Sequence, residues 1–121
     1  MIPKTMKAAI FEQYGGPEVL RYADVPVPQL ARGEALVKVH AVALNGYDLM
    51  ARAGRYKPNK GKFPHILGGD FGGELAALGP ETASDLPIGA RVTSWWILPC
   101  ARCEQCMAGN HNRCARDSRY I

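Results

Sequence analysis

The sequence lacks any long apolar run. None of its stretches approaches the roughly 20 consecutive apolar residues of a membrane-spanning helix. The N-terminal stretch MIPKTMKAAIFEQYGG is interrupted by lysines where a signal peptide would be continuously apolar. We therefore expect a cytoplasmic chain without a membrane partner.

Several catalytic and nucleotide-binding motifs are also missing. The stretch LGGDFGG does not have the order G-x-G-x-x-G, and no long helical pattern follows it, so it is not a dinucleotide fingerprint. In GRYKPNKGKF the glycine interval is wrong for a phosphate loop, and Phe63 stands where Ser or Thr is needed. No Ser, His and Asp set of the hydrolase kind is evident. Residue chemistry alone predicts no complete catalytic centre.

The excess of positive over negative charge is small. The formal net charge is +4, from 15 Lys and Arg against 11 Asp and Glu, which predicts solubility rather than a nucleic-acid partner. Apolar residues make up 47% and charged residues 21%, as in globular proteins, and the length suits one domain over residues 1–121. The 13 glycines and 9 prolines indicate many turns, and hence a mainly β chain of short strands.

Cysteine is rare and confined to one place. The four cysteines follow the spacing C-x2-C-x2-C-x7-C inside the stretch LPCARCEQCMAGNHNRCARD, residues 98–117, and are Cys100, Cys103, Cys106 and Cys114. Four sulfur ligands at about 2.3 Å suit a tetrahedral zinc ion and leave no position open for water or substrate. The spacing predicts a structural zinc lobe at about residues 98–117.

Three alternatives to this zinc site remain open. An iron–sulfur cluster shares the first spacings, but its fourth cysteine usually comes sooner and precedes proline, whereas Ala115 follows Cys114. Disulfides fit poorly with a reducing compartment. His111 is a rival fourth ligand, although the sulfur set is complete without it.

The remaining segments indicate short strands and one short helix. The strongest strand signal is GEALVKVHAVALNGYD, in which Leu36, Lys38, His40 and Val42 would share one face. Asn45 is placed to cap a helix over residues 47–53, closed by Gly54. The prolines of LRYADVPVPQL predict an edge strand or an extended link. At least one tryptophan of ARVTSWWILP is expected in the core.

These stretches resemble the N-terminal, GroES-like domain of medium-chain dehydrogenases/reductases, the superfamily of zinc-containing alcohol dehydrogenases and quinone oxidoreductases. MKAAIFEQYGGPEVL is similar to the opening strand and turn of that family, and EALVKVHAVALNGYDLMARAG to its strand and helix with active-site residues. FPHILGGDFGGELAALG is similar to its P-x-x-x-G-H-E-x-x-G segment, and the cysteine spacing is that of its structural zinc lobe. The resemblance implies a mainly β fold: a partly open β-barrel with short helices and a zinc-binding lobe.

Two positions depart from the zinc-dependent members. The cysteine that begins their Cys-x-Ser/Thr-Asp motif corresponds to Asn45, and the histidine of Gly-His-Glu corresponds to Gly69. Glycine has no side chain with which to bind a metal, and asparagine is a poor zinc ligand. The resemblance therefore implies a protein with structural zinc and no catalytic zinc.

That departure favours the quinone-oxidoreductase or enoyl-reductase branch. There, NAD(P)H reduces a small carbonyl or quinone-like substrate, and Asn45 and Tyr47 are the catalytic candidates because both can donate hydrogen bonds to a developing enolate. A cap role for Asn45 and a packing role for Tyr47 remain open. The nucleotide-binding Rossmann domain of the family is absent from these residues, so we expect this chain alone to be inactive and to self-associate. The alternative is a zinc-stabilised scaffold or binding module without enzymatic activity.

Overall fold

The computed structural model describes residues 1–57, 61–94, 97–115 and 119–120, and the side chains of residues 97, 119 and 120 lie outside that description. The described part is mainly sheet with short helices, as the sequence predicted. Its strands are β1 (Thr5–Phe11), β2 (Arg21–Pro26), β3 (Ala35–Val42), β4 (His65–Ile66), β5 (Phe71–Leu78), β6 (Arg91–Thr93), β7 (Ile97–Leu98) and β8 (Arg119–Tyr120). Its α-helices are α1 (Gly46–Arg52) and α2 (Glu104–Met107). None of the helices described is long and apolar enough to cross a membrane.

The strands form three antiparallel sheets. Their orders are β2-β1-β4, β3-β5-β6 and β7-β8. The described strands therefore do not close into a complete barrel, in keeping with the predicted partly open one. Among the described strands β2 pairs only with β1, so this proline-containing strand lies at an edge, as predicted. Pro28 follows this strand and has no backbone N–H to offer a further neighbour.

A small core lies on the inner face of the first sheet. Ala8, Ile10 and Val25 are buried together, because alternate residues of β1 point to the same side. Phe11 is 1% exposed at the end of β1 and packs edge-on against Phe63 and His65, with ring centroids 5.7 and 5.3 Å away. This aromatic group joins β1 to the segment that leads into β4.

β3 departs from simple alternation. Its register against β5 shifts between Leu36 and Val37, and again between Val39 and Ala41, so that His40 has no partner in the ladder. The second irregularity lies opposite Gly73, where an added Cβ would collide with the carbonyl oxygen of Lys38. Only glycine permits this close approach of two strands. The shared face predicted for Leu36, Lys38, His40 and Val42 is therefore interrupted.

Much apolar surface stays exposed beyond this small core. Leu44 is 92% exposed and Leu49 is 62% exposed, and Val39, Val42 and Met50 are also open to solvent. They lie on β3, on α1 and on the link between them. His40 is half exposed, with its Nε2 3.6 Å from a carboxylate oxygen of Glu74. The predicted burial of a tryptophan falls on residues 95 and 96, outside the described residues.

Candidate functional site

The four cysteines approach one another from three short pieces of chain. Cys100 follows β7, Cys103 is the residue before the first turn of α2, and Cys106 lies inside that helix. The chain then reverses through Gly109, whose φ of +81° is accessible to glycine at little cost. A 3-10 turn over His111–Arg113 delivers Cys114. The two short spacings and the reversing loop explain why a local sequence motif becomes a compact cluster.

The geometry of the cluster suits a tetrahedral metal ion. All four Sγ atoms lie within 4.8 Å of one another, and Sγ of Cys100 is 3.9 Å from Sγ of Cys106. Four ligands at about 2.3 Å around zinc would be about 3.8 Å apart. The four cysteines are free thiols, and His111 does not belong to the group of mutually close donor atoms. The residues present therefore fit a zinc ion with four sulfur ligands.

Backbone amides and burial shift the pKa values of the two buried thiols in opposite directions. The backbone N–H groups of Cys106 and Ala115 lower the pKa of the Cys103 thiol to about 6. Desolvation, followed by a hydrogen bond with Cys103, raises the pKa of the Cys106 thiol to about 12. The backbone N–H of Cys100 also donates to Sγ of Cys114 at 3.4 Å. Backbone N–H groups therefore favour the thiolate of Cys103, whereas burial opposes the thiolate of Cys106.

The second candidate site surrounds the N-terminus of α1. Asn45 is its N-cap: its Oδ1 accepts a hydrogen bond from the backbone N–H of Tyr47 at 3.1 Å. Asp48 completes the capping box, because its Oδ2 accepts from the backbone N–H of Asn45 at 2.8 Å. At the other end, Gly54 has a φ of +73° beyond Arg52, the last helical residue. The predicted helix is thus confirmed, beginning one residue earlier and ending one residue earlier than expected.

Asp48 also joins the helix to the segment before β5. Its Oδ1 accepts from the backbone N–H of Gly68 at 3.1 Å, and the residue is only 4% exposed. The side-chain amide of Asn45 donates to Oδ2 of Asp70 at 3.0 Å. These contacts bring together the two sequence segments in which departures from the zinc-dependent pattern were noted. The contact with Asp70 was missed by sequence reasoning, which used the Gly-Gly-Asp stretch only to locate Gly69.

Asn45 and Tyr47 differ in accessibility. Asn45 is exposed, and one of its two amide hydrogens remains available after the bond to Asp70. The hydroxyl oxygen of Tyr47 is buried, and its ring packs 4.6 Å from the ring of Tyr56. The structure therefore shows a packing contact for Tyr47 and a cap for Asn45, and it leaves the Asn45 amide open to a ligand.

The donors around Asn45 do not fit a catalytic zinc ion. The side chains described at this place are the amide of Asn45 and the carboxylates of Asp70 and Asp48, and both oxygens of Asp48 already accept backbone hydrogen bonds. Gly69 contributes only backbone, and its carbonyl oxygen accepts from Ser94 Oγ at 2.6 Å. Zinc in proteins is held by thiolate, imidazole or carboxylate ligands, usually three of them in a catalytic site. The Asn45 side chain offers hydrogen-bond donation at this place.

Known proteins share this arrangement of elements. The sequence family described as "Alcohol dehydrogenase GroES-like domain" matches residues 31–121. The chain is 35% identical over 117 residues to a sorbitol dehydrogenase of Bacillus subtilis, and the aligned region covers 93% of this chain and 31% of that protein. It is 36% identical over 92 residues to an NADPH-dependent alkenal/one oxidoreductase of Arabidopsis thaliana, and the aligned region covers 75% of this chain and 24% of that protein.

A solved structure agrees with these sequence comparisons. An NAD-dependent alcohol dehydrogenase superposes on the chain with a TM-score of 0.83 and 40% sequence identity, over 96% of this chain and 33% of that one. The chain spans about a third or less of the length of each of these three proteins.

Proposed function

Because the chain belongs to the alcohol dehydrogenase GroES-like domain family of medium-chain dehydrogenases/reductases, we propose that it is the N-terminal catalytic-domain portion of an NAD(P)H-dependent oxidoreductase. In this proposal the protein carries one structural zinc and no catalytic zinc, and it reduces a small conjugated carbonyl or quinone. The nicotinamide cofactor is bound by a Rossmann domain outside these residues, so the chain alone is inactive.

One observation carries the choice of reaction. The side chain that faces solvent at the start of α1 is an amide, hydrogen-bonded to Asp70, with a donor hydrogen to spare. An alkenal, an enone or a quinone accepts hydride at carbon, and negative charge then develops on its carbonyl oxygen. A positioned amide stabilises such an oxygen without a metal. The similarity to an alkenal/one oxidoreductase supports this branch, whereas the similarity to a sorbitol dehydrogenase supports the family alone.

The residues of this chain have distinct tasks in the proposed reaction. The bound NAD(P)H supplies the hydride. Asn45 holds the carbonyl oxygen of the substrate through its free amide hydrogen, and Asp70 fixes the orientation of that amide by accepting its other hydrogen. Asp48 keeps the two segments together. Tyr47 either donates a hydrogen bond from its hydroxyl to the substrate or packs with Tyr56 to form one side of the substrate site.

The zinc proposed for the lobe has a structural task. Cys100, Cys103, Cys106 and Cys114 would hold it with four sulfurs, which leaves no coordination position for substrate. The ion would tie β7, α2 and the loop after Gly109 into one unit. No buried apolar cluster is described in this lobe beyond the cysteines themselves, so the metal supplies what a core would otherwise supply.

Exposed apolar side chains support the proposed self-association of this chain. Leu44, Leu49 and Met50 present their side chains to solvent close to the candidate site. An apolar surface of this kind usually marks an interface. We expect light scattering of the purified chain to show dimers or larger species at high concentration, and a strictly monomeric chain would contradict this part of the proposal.

Replacing Asn45 by serine separates its two roles. Serine is as good an N-cap as asparagine but has no amide to donate. In the full-length protein we expect Asn45→Ser to shift the free energy of unfolding by less than about 0.5 kcal/mol, while kcat/KM for an alkenal falls by about 10²-fold, as for other lost oxyanion donors.

Asn45→Ala is the matched control, because it removes both cap and donor and should also cost about 1 kcal/mol of stability. A serine variant that reduces alkenals at the wild-type rate would remove Asn45 from the mechanism and leave it as a cap. Tyr47→Phe, compared with Tyr22→Phe at an exposed position, applies the same test to the second candidate.

A further inference from the structure

A strongly basic segment follows the candidate site in the sequence. Residues 49–69 contain five basic and no acidic side chains: Arg52, Arg55, Lys57, Lys60 and Lys62. The net charge of the whole chain is only +4. The positive charge of the protein is therefore concentrated in this stretch rather than spread evenly.

The structure turns this segment back onto α1. The backbone N–H groups of Arg55 and Tyr56 both donate to the carbonyl oxygen of Met50, at 2.9 and 3.2 Å. The ring of Tyr56 then packs against that of Tyr47 in the first turn of the helix. The backbone of residues 55 and 56 is consequently held next to the helix that Asn45 caps.

Tyr14 lies against the basic segment at two positions, residues 54 and 61. A Cβ at residue 54 would lie 2.8 Å from Cγ of Tyr14, and one at residue 61 would lie 3.0 Å from its hydroxyl oxygen. Lys57 Nζ lies 5.9 Å from the centroid of the same ring, within cation–π range. Residues 54 and 61 thus both lie against Tyr14, the same ring that the Lys57 side chain approaches, and Lys62 directly follows Gly61.

The charge of these side chains is not neutralised within the described residues. The ion pairs described there involve Lys7, Arg21, Arg32 and His40, and none involves Arg55, Lys57 or Lys62. Among the described residues, Nε of Arg52 is buried without a hydrogen-bond partner, and the positive charge of Arg52 contributes to lowering the pKa of Glu18. Arg55, Lys57 and Lys62 are all exposed, so an anion that approaches this segment meets positive charge that no described carboxylate offsets.

We propose that Arg55, Lys57 and Lys62 form the anion-binding end of the substrate site, so that the preferred substrate is a conjugated carbonyl compound carrying a carboxylate or a phosphate group. This inference rests on the proposed function. The reactive carbonyl lies at Asn45, and the anionic group lies among the basic side chains beyond the Tyr47–Tyr56 pair. The aromatic pair contacts the apolar part of the substrate between these two ends.

The test uses the full-length protein with saturating NADPH and three alkenals of equal length. They end in a methyl group, a carboxylate or a phosphate monoester. We expect kcat/KM to be at least tenfold higher for an anionic substrate at low ionic strength, and this preference to shrink steeply as salt screens the charges. A larger preference for the phosphate than for the carboxylate identifies phosphate as the natural group, and the reverse order identifies carboxylate.

A charge-reversal variant provides the second part of the test. The double variant Lys57→Glu, Lys62→Glu should lower kcat/KM for the anionic alkenals at least tenfold more than it lowers kcat/KM for the methyl-terminated alkenal. Lys4→Glu is the matched control, since Lys4 is exposed and lies outside the segment. If the reversed variant does not fold, the neutral variant Lys57→Gln, Lys62→Gln replaces it, with a smaller change in the same direction.

Two results would overturn the inference. One is a wild-type protein that does not distinguish anionic from neutral alkenals, which would make the segment a solvated loop. The other is an equal loss for all three substrates in the charge-reversed variant. Should no alkenal be reduced at all, the proposed function fails, and calorimetric titration with pyrophosphate then decides on the inference alone. Binding by the wild type and by Lys4→Glu but not by the double variant supports it, and the absence of wild-type binding refutes it.

Discussion

Cys106→Ser is expected to abolish zinc binding by the lobe and to unfold residues 97–115 under conditions in which the rest of the chain stays folded. Cys106 is 5% exposed and sits in α2, with its Sγ 3.9 Å from that of Cys100. A serine hydroxyl at this place replaces a soft anionic ligand with a weak neutral one. Differential scanning calorimetry and metal analysis of wild type and variant provide the measurement.

The expected effect is large because metal binding and folding are one process in such a lobe. Structural zinc contributes about 10–16 kcal/mol of apparent binding free energy in small zinc domains, against about 1 kcal/mol for an ordinary substitution. α2 has only four residues, too few to persist on its own. We therefore expect the lobe transition to disappear from the thermogram rather than to shift by a few degrees.

Met107→Ser is the matched control for this variant. Met107 is the next residue of the same helix, but it is 75% exposed and contributes no sulfur to the cluster. Its replacement should leave zinc content and unfolding temperature close to wild type. Equal thermograms for wild type and Cys106→Ser, with zinc retained, would show that the sulfur cluster does not stabilise the lobe.

Asp48→Ala is expected to lower the free energy of unfolding by about 3 kcal/mol or more. The Asp48 carboxylate is 4% exposed and accepts from two backbone N–H groups, those of Asn45 and Gly68. Alanine leaves both donors without an acceptor, and each such loss costs about 1–3 kcal/mol. Urea unfolding followed by circular dichroism measures the change.

An exposed carboxylate provides the control for this prediction. Asp24 pairs with Lys7 at 2.6 Å, but both side chains are more than half exposed. Asp24→Ala should therefore cost less than about 1 kcal/mol. Asp48→Asn, which keeps one acceptor oxygen, should fall between the two. An Asp48→Ala variant as stable as Asp24→Ala would mean that the link between α1 and the segment before β5 does not stabilise the fold.

Local sequence patterns predicted the parts of the structure that depend on local chemistry. The spacing of the cysteines brought their sulfurs within reach because a tight loop needs few long-range contacts to close. Asn45 and Gly54 marked the ends of α1 because an N-cap acceptor and a positive φ are requirements of single residues. The edge position of β2 followed in the same way from its prolines.

Contacts between distant segments were beyond the reach of those patterns. The irregularity at His40 arises from the close approach of Gly73 to Lys38 on the neighbouring strand, which the alternation within β3 does not encode. The bond between Asn45 and Asp70 joins residues 25 positions apart. The approaches of Gly54 and Gly61 to Tyr14 likewise join residues from separate places in the sequence. Such contacts need the tertiary structure.

Zinc bound by four sulfurs is the central claim of this account. The most direct test is X-ray absorption at the zinc edge, combined with elemental analysis, on protein purified without added metal. We expect one zinc per chain, with four sulfur neighbours at about 2.3 Å and no nitrogen or oxygen neighbour. A chain without zinc, or a zinc ion with oxygen and nitrogen ligands from the region of Asn45 and Asp70, would contradict the account.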